Sequence, residues 1–145
     1  MVRKFLVAGL LLAGVSVAFA QNDPIAQRVE TMKGVGALWY GDVNKMMKGE
    51  IPYDKAKFVA ALDRMIAASK AMPGLFPDTS KTGTTKALPA IWEKKSDFDA
   101  RWKKIGDEAT AAKASVTDEA SFKKLQPDLN KNCNECHSPY RARNS

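Results

Sequence analysis

The sequence predicts an all-α protein, an antiparallel up-down-up-down four-helix bundle. Four segments place apolar residues at steps of three and four, the spacing of one face of an α-helix. No segment shows the strict alternation of apolar and polar residues that is typical of a half-buried strand. The connections between the four segments are short except for the one after the second, and short connections favour antiparallel neighbours.

The N-terminus carries the pattern of a secretory signal. Two basic residues precede an apolar run over residues 5–17, and Ala-Phe-Ala at 18–20 supplies a small-x-small cleavage site. The run is shorter than the ~20 residues of a spanning helix, which favours cleavage over anchoring. We therefore expect residues 1–20 to be removed, leaving one domain over residues 21–145 with no membrane insertion.

The expected mature domain is basic. Removing the two basic residues of the signal lowers the formal net charge from +7 to +5. A positive surface attracts nucleic acid, anionic lipid or an acidic protein, and export argues against nucleic acid. Anionic lipid and an acidic protein partner remain, and net charge alone does not choose between them.

The first two helices are predicted from two apolar stripes. The first stripe runs from Ile25 to Met46 and follows Asp23 and Pro24, an N-cap residue before a first-turn proline. After a break at residues 48–52, the second stripe runs to residue 72. Residues 73–89 combine three prolines, two glycines and many Ser, Thr and Lys, the composition of a surface loop.

The last two helices follow the same pattern. The third stripe covers residues 98–112, with Ser96 as its expected N-cap. The fourth covers residues 122–140 and follows Thr117 and Asp118. Pro127 lies within the fourth stripe and is expected either to kink the helix or to mark its true start.

The fourth stripe contains the one motif with specific chemistry, Cys133-Asn134-Glu135-Cys136-His137. Cys-x-x-Cys-His is the attachment sequence of c-type haem. Residues three apart share a helix face, so both thiols can bond to the vinyl groups along one side of a porphyrin while the adjacent imidazole binds the iron. We expect one covalent haem c with His137 as its proximal iron ligand. Structural zinc would normally need four Cys or His ligands, and the chain has three.

The sixth coordination position has three candidates. The chain has no second histidine, so a methionine sulfur, a lysine amine or an open site remains. The bundle topology leaves Met32, Met65 and Met72 at the height of the histidine. Each could equally be a gap-filling core side chain. Gly34 and Gly36 follow Met32 and would leave room either for a flat macrocycle or for close helix packing.

The chain resembles the class II c-type cytochromes, the cytochrome c′ and cytochrome c556 group, over essentially all of the mature domain. The resemblance rests on four motifs: Arg28-x-x-x-Met32, Leu75-Phe76-Pro77, Leu88-Pro89-Ala90-Ile91-Trp92 with Phe98, and Cys133-x-x-Cys136-His137-x-x-Tyr140-Arg141. It implies a four-helix bundle with the haem near one end, and a periplasmic location in a bacterium.

The resemblance also implies roles for single residues. Met32 matches the position that supplies the distal iron ligand in the cytochrome c556 branch, while cytochrome c′ usually has a non-coordinating residue there. Arg28 matches an arginine near a haem propionate, and Arg141 matches the basic residue beside the proximal His137. Pro139 departs from the family pattern and is expected to disturb the helix beside Arg141.

The function expected from these features is electron transfer by a low-spin haem with His and Met ligands, and not enzymatic catalysis. The alternative is a five-coordinate cytochrome c′ that binds NO or CO at an open or labile distal site. A peroxidase would need a distal acid-base group, and the chain has no second histidine to provide one. The expected partners are acidic redox proteins and, as in some family members, a second copy of the chain.

The motif and the signal together predict the composition of the mature protein. When the chain is expressed in the periplasm with the haem-attachment machinery, the denatured protein should have the mass of residues 21–145 plus one haem. Intact mass spectrometry measures this directly. A mass equal to the polypeptide alone would refute covalent attachment.

Overall fold

The computed structural model describes residues 23–143, so the predicted signal lies outside the described residues. Four long helices form the bundle: α1 (Pro24–Leu38), α2 (Lys55–Ala71), α3 (Lys95–Ser115) and α4 (Glu119–Tyr140). The predicted all-α four-helix fold is confirmed. No helix within residues 23–143 is long and apolar enough to cross a membrane.

The first helical segment begins and ends at local signals in the sequence. The Asp23 carboxylate accepts a hydrogen bond from the Ile25 N–H at 2.8 Å, as the predicted cap requires. Beyond α1 the chain continues through a π-helical turn (Trp39–Val43) and a short α-helix (Asn44–Met47). Gly49 then takes a φ of 73°, and the Gly49 and Glu50 amides bond back to the last turn in a Schellman arrangement.

The other helix starts follow the sequence with one exception. Asp54 caps α2, and Asp118 forms a reciprocal capping box with Ser121 at the start of α4. The Ser96 cap was a wrong prediction, since α3 already begins at Lys95 and has no side-chain cap. A short helix (Ala90–Glu93) leads directly into α3, so this helix start follows another helical turn rather than an extended loop.

Both prolines of α4 lie inside the helix. Pro127 does not mark the helix start, because α4 runs from Glu119 to Tyr140. The prediction that Pro139 disturbs the last turn was wrong, since the Arg141 N–H still donates to the His137 carbonyl at 3.0 Å. Pro139 removes its own N–H from the helix, and the Glu135 carbonyl that it leaves without this donor accepts from Arg101 Nη1 at 3.1 Å.

The connection from α2 to α3 is ordered by short 3₁₀ turns at Met72–Leu75 and Asp78–Ser80. Its last part pairs with the end of α4 through an antiparallel bridge between Ala87 and Arg141. The core beneath contains two aromatic groups. Tyr53, Phe58 and Phe122 lie at one end of the bundle, and Phe76, Trp92, Phe98, Trp102 and Tyr140 lie at the other.

Helices α2 and α3 pack closely at a glycine. A Cβ atom added at Gly106 would lie 2.3 Å from Ser69 Oγ and 3.0 Å from Ser69 Cβ. Ser69 Oγ is itself held, because it donates to the Ile66 carbonyl at 2.9 Å. Gly106 therefore permits an approach of the two helices that any larger residue would prevent.

We predict that Gly106→Ala destabilises the protein by roughly 1–3 kcal/mol, although alanine is the better helix former. Urea unfolding measures the change. Gly36→Ala is the matched control, because a Cβ there meets only the Tyr40 ring, at 3.8 Å. The control should be neutral or more stable by up to about 1 kcal/mol. A Gly106→Ala protein that gains as much as this control would contradict the close packing.

Candidate functional site

A cavity of about 40 Å³ lies between the four helices, near the end where α4 finishes. Its walls are largely apolar, with sulfur atoms and one imidazole among them. The lining residues are Met32, Val35, Met65, Ala68, Trp102, Ile105, Cys133, Cys136 and His137. Every long helix contributes at least one of these residues.

The cavity brings together the residues that the sequence singled out on α4 and two of the three methionines. Cys133, Cys136 and His137 line it along α4, and Met32 lines it from α1. Met65 is the other methionine in the lining. Met72 is only 3% exposed but is not a lining residue, so it belongs to the core rather than to this site.

Both thiols of the motif are free and protonated. Burial raises the pKa of the Cys133 thiol, and it raises the pKa of Cys136 to about 11. At neutral pH both side chains are therefore uncharged, which is compatible with their place in an apolar wall. The thiolate is the reactive form of cysteine, so neutral thiols are weak nucleophiles and weak metal ligands.

His137 is held in its neutral form. Burial lowers the pKa of the imidazole, and the positive charge of the nearby Arg141 lowers it further. A neutral imidazole has a free nitrogen lone pair, the form that binds a metal. Arg141 itself is exposed, and its positive charge is what affects the His137 imidazole.

The residues of the cavity fit a haem by their chemistry. They provide two thiols at the required spacing, an imidazole and thioether sulfurs, in an otherwise apolar wall. Trp102 also has a buried Nε1–H without a hydrogen-bond partner among residues 23–143, which leaves a donor for a polar group of a cofactor. A haem at this site would need the lining side chains to adopt positions that accommodate a porphyrin. Unbranched methionines such as Met32 and Met65 adapt readily to such a change.

The glycines near Met32 do not line the cavity. A Cβ at Gly34 would meet the Arg64 guanidinium at 2.4 Å, which is the far end of an exposed side chain on α2 and can move aside. Gly36 has open space beside it apart from Tyr40.

Arg28 is buried rather than at the surface, with only 4% of its area exposed. Its guanidinium bonds to the loop between α2 and α3 instead of lining the cavity. Trp92 and Phe98 are also absent from the lining and belong to the aromatic group above it. The aromatic wall of the cavity is Trp102, one turn beyond Phe98 on α3, and the third apolar stripe was the only sequence signal for it.

A polar cluster on α3 fixes the end of α4. Asp97 accepts hydrogen bonds from the Tyr140 hydroxyl and from Arg101 Nε, the latter at 2.7 Å. Arg101 Nη1 donates to the Glu135 carbonyl at 3.1 Å. These donors lower the pKa of the Asp97 carboxyl, with Arg101 the larger cause. The cluster borders an open cleft of about 340 Å³ between α3 and α4, which Cys136 also lines.

A four-helix bundle with Cys-x-x-Cys-His on its last helix has the architecture of a c-type cytochrome. The family model described as Cytochrome C′ matches residues 23–141. The cytochrome c′ of Rhodopseudomonas palustris is 41% identical over 140 residues, which are 96% of this chain and 95% of that protein. The cytochrome c-556 of Agrobacterium fabrum is 36% identical over 136 residues, or 93% and 90% of the two chains.

The solved structures agree with the sequences. The structure of the R. palustris cytochrome c′ matches with a TM-score of 0.82 at 41% identity, over 86% of this chain and all of that one. The chain therefore belongs to the cytochrome c′ family and is a haem c cytochrome.

The Asp97 cluster predicts a pH-dependent loss of stability. Because its folded pKa is depressed, the ionised carboxylate stabilises the fold above the unfolded pKa, and this contribution disappears as the pH falls through the folded pKa. Asp97→Asn should therefore unfold more easily than the parent at pH 6. The difference should shrink below about pH 4, the ordinary carboxyl range.

Urea unfolding across this pH range tests the cluster. Asp107→Asn is the control, since it removes an exposed ion pair with Lys103 that makes no contact with α4. Its free energy of unfolding should change by only a few tenths of a kcal/mol. An Asp97→Asn difference that stays constant down to about pH 3 would show that the carboxylate charge plays no part.

Proposed function

We propose that the protein is a periplasmic electron-transfer cytochrome whose one haem is bonded to Cys133 and Cys136, with His137 and Met32 as the axial iron ligands. The observation that supports this most strongly is the cavity, which these four residues line from two different helices. A low-spin haem of the proposed kind would need a strong second iron ligand, which could not come from the attachment motif itself. Met32 on α1 meets that need.

The bound haem would supply an iron that cycles between the ferric and ferrous states. The protein's part is to hold the ligands and exclude water. His137 is neutral and ready to donate to iron because of its burial. The Met32 thioether is a soft ligand, which favours the reduced metal and raises the potential. Val35, Ala68 and Ile105 keep the surroundings apolar.

Met65 is the rival for the distal position, because it also lines the cavity from α2. The family resemblance favours Met32, which matches the ligand position of the cytochrome c556 branch. In this interpretation Met65, only 2% exposed, fills the wall beside the ligand. If Met32 is the ligand, Met32→Ala should remove it from the iron. If Met65 is the ligand, Met65→Ala should do so instead.

The second candidate function is binding of NO or CO at an open or labile distal site. It is supported by the match to a relative named cytochrome c′, at 41% identity, alongside the relative named cytochrome c-556, at 36%. An apolar distal wall suits a small uncharged gas as well as it suits a thioether. The two functions differ in whether Met32 stays on the iron.

The partner surface and location follow from charge and the signal. Basic residues lie along α4 and just after it: Lys123, Lys124, Lys131, Arg141 and Arg143. Lys123 and Lys131 pair with acidic neighbours on the same helix, whereas Arg141 and Arg143 are exposed cations at the end of the helix that carries His137. An acidic redox protein would be steered toward that end. For a homodimer, α1 offers exposed Val29, and Tyr40 is exposed in the π-helical turn after it.

The distal ligand is tested by Met32→Ala. If Met32 binds the iron, the ferric variant should change from low-spin to high-spin and its reduction potential should fall. If methionine is bound to more than nine-tenths of the ferrous iron in the parent, less than one-tenth of the parent is open to CO. Removing the methionine should therefore raise the apparent affinity of the ferrous protein for CO about tenfold or more. Optical spectra, potentiometry and CO titration measure these changes.

Two further methionine variants distinguish the explanations. Met72→Ala should leave spin state and CO affinity unchanged and cost only roughly 2–5 kcal/mol of stability, because this buried residue is outside the lining. If Met65→Ala rather than Met32→Ala converts the spin state, the ligand is Met65. A parent protein that is already high-spin and binds CO readily would reject the electron-transfer proposal in favour of gas binding.

A further inference from the structure

The Arg28 guanidinium makes an unusually complete set of contacts with one loop. Nη1 donates to the Leu75 carbonyl at 3.2 Å and to the Ser80 hydroxyl at 3.0 Å. Nη2 donates to the Ser80 carbonyl at 3.2 Å and to the Thr85 hydroxyl at 2.7 Å. Both terminal nitrogens therefore have two acceptors each. An arginine fork can do this because its donors are fixed in one plane.

Aromatic rings cover the same guanidinium. Its central carbon lies 4.6 Å from the centre of the Phe76 ring and 5.9 Å from that of Trp92. Trp92 Nε1 in turn donates to the Phe76 carbonyl at 2.9 Å, so the rings are themselves anchored to the loop. Arg28 thus joins α1 to a loop that contains little regular structure of its own.

Hydrogen bonds connect Arg28, through this loop, to the end of α4. Thr85 Oγ1, which accepts from Arg28, also accepts from the Ala87 N–H at 3.1 Å. The next residues then pair with the end of α4. The Leu88 N–H donates to the Tyr140 carbonyl at 3.1 Å, and the Ala142 N–H donates to the Lys86 carbonyl at 2.8 Å. These two bonds lie on either side of Arg141.

The segment held in this way begins three residues after His137. The His137 carbonyl accepts from the Arg141 N–H, so the imidazole-bearing turn and the bridged residue share a hydrogen bond. A change in the loop would reach that turn through the two hydrogen bonds of the Ala87–Arg141 bridge and then through the Arg141 N–H, without any contact to a cofactor. Groups outside the ligand itself commonly fix the orientation of a metal ligand.

We propose that Arg28 is a positioning residue for His137: it holds the 75–88 loop against the end of α4, and the loop fixes the turn that presents the imidazole. The proposal rests on the proposed role of His137 as the iron ligand. It differs from the role implied by family resemblance, in which the arginine acts on a haem propionate. Thr85 takes part only in the role through the loop, so a Thr85 variant distinguishes that role from one on a haem propionate.

The test compares Arg28→Lys and Thr85→Val in the haem-loaded protein, with Thr84→Val as the matched control. Lysine keeps the charge but loses the planar fork, and Thr85→Val removes the shared hydroxyl with little change of shape. Thr84 is the exposed neighbour of Thr85. Two readouts are needed: amide hydrogen exchange at Leu88 and Ala142, and the hyperfine-shifted NMR resonances of the His137 ring in the ferric state.

We expect Arg28→Lys and Thr85→Val each to lower exchange protection at both amides by about tenfold or more and to shift the His137 resonances. Thr84→Val should change neither. If Arg28→Lys shifts His137 while protection is unchanged and Thr85→Val has no effect, Arg28 acts through the cofactor and the proposal is wrong. If protection falls while His137 stays unshifted, the loop does not position the ligand and the proposal is equally wrong. Parent protein without hyperfine-shifted His137 resonances would instead refute the proposed ligation, independently of the exchange result at the loop.

Discussion

The site depends on one geometric constraint: a short helical motif can present two thiols and one imidazole, but it cannot reach the opposite face of the same macrocycle. Any second axial ligand must come from another helix at the same height. Antiparallel packing provides this, because the end of α4 lies level with the start of α1 and the end of α2. The cavity lined by Met32, Met65 and His137 is the direct result.

The same constraint accounts for the many polar contacts that hold the end of α4. A terminal turn frays unless it is held, and here the turn carries His137. Asp97 and Arg101 hold it from α3 through the Tyr140 hydroxyl and a main-chain carbonyl. The 75–88 loop holds it from the other side, with Arg28 as its anchor. These contacts give this helix end the rigidity that the proposed iron ligand His137 would need.

Much of this arrangement could be predicted from local sequence, because its signals act over a few residues. The caps at Asp23 and Asp118 and the attachment motif are of that kind, as are the apolar stripes that define four helices. The predicted topology put Met32, Met65 and Met72 level with His137, and Met32 and Met65 line the cavity with it. It failed to exclude Met72, because helix height is readable from sequence but the direction in which a buried side chain points is not.

The remaining features depend on contacts between distant residues, which a single sequence does not reveal. The contact of Gly106 with Ser69 and the burial of Arg28 under the loop arise only when the helices are packed. Ser96 looked like a cap because the short helix before α3 was not foreseen. Trp102 was visible only as one member of a stripe. Only the folded chain shows that its Nε1–H has no hydrogen-bond partner within the described residues 23–143.

The central claim is that His137 and Met32 bind the same iron. Electron paramagnetic resonance of the ferric parent protein, recorded together with its far-red absorption, tests this claim most directly. Two strong axial ligands should give a low-spin signal with the weak far-red band of sulfur-bound ferric haem. A high-spin signal without that band would contradict the claim and leave Met32 as part of the cavity wall.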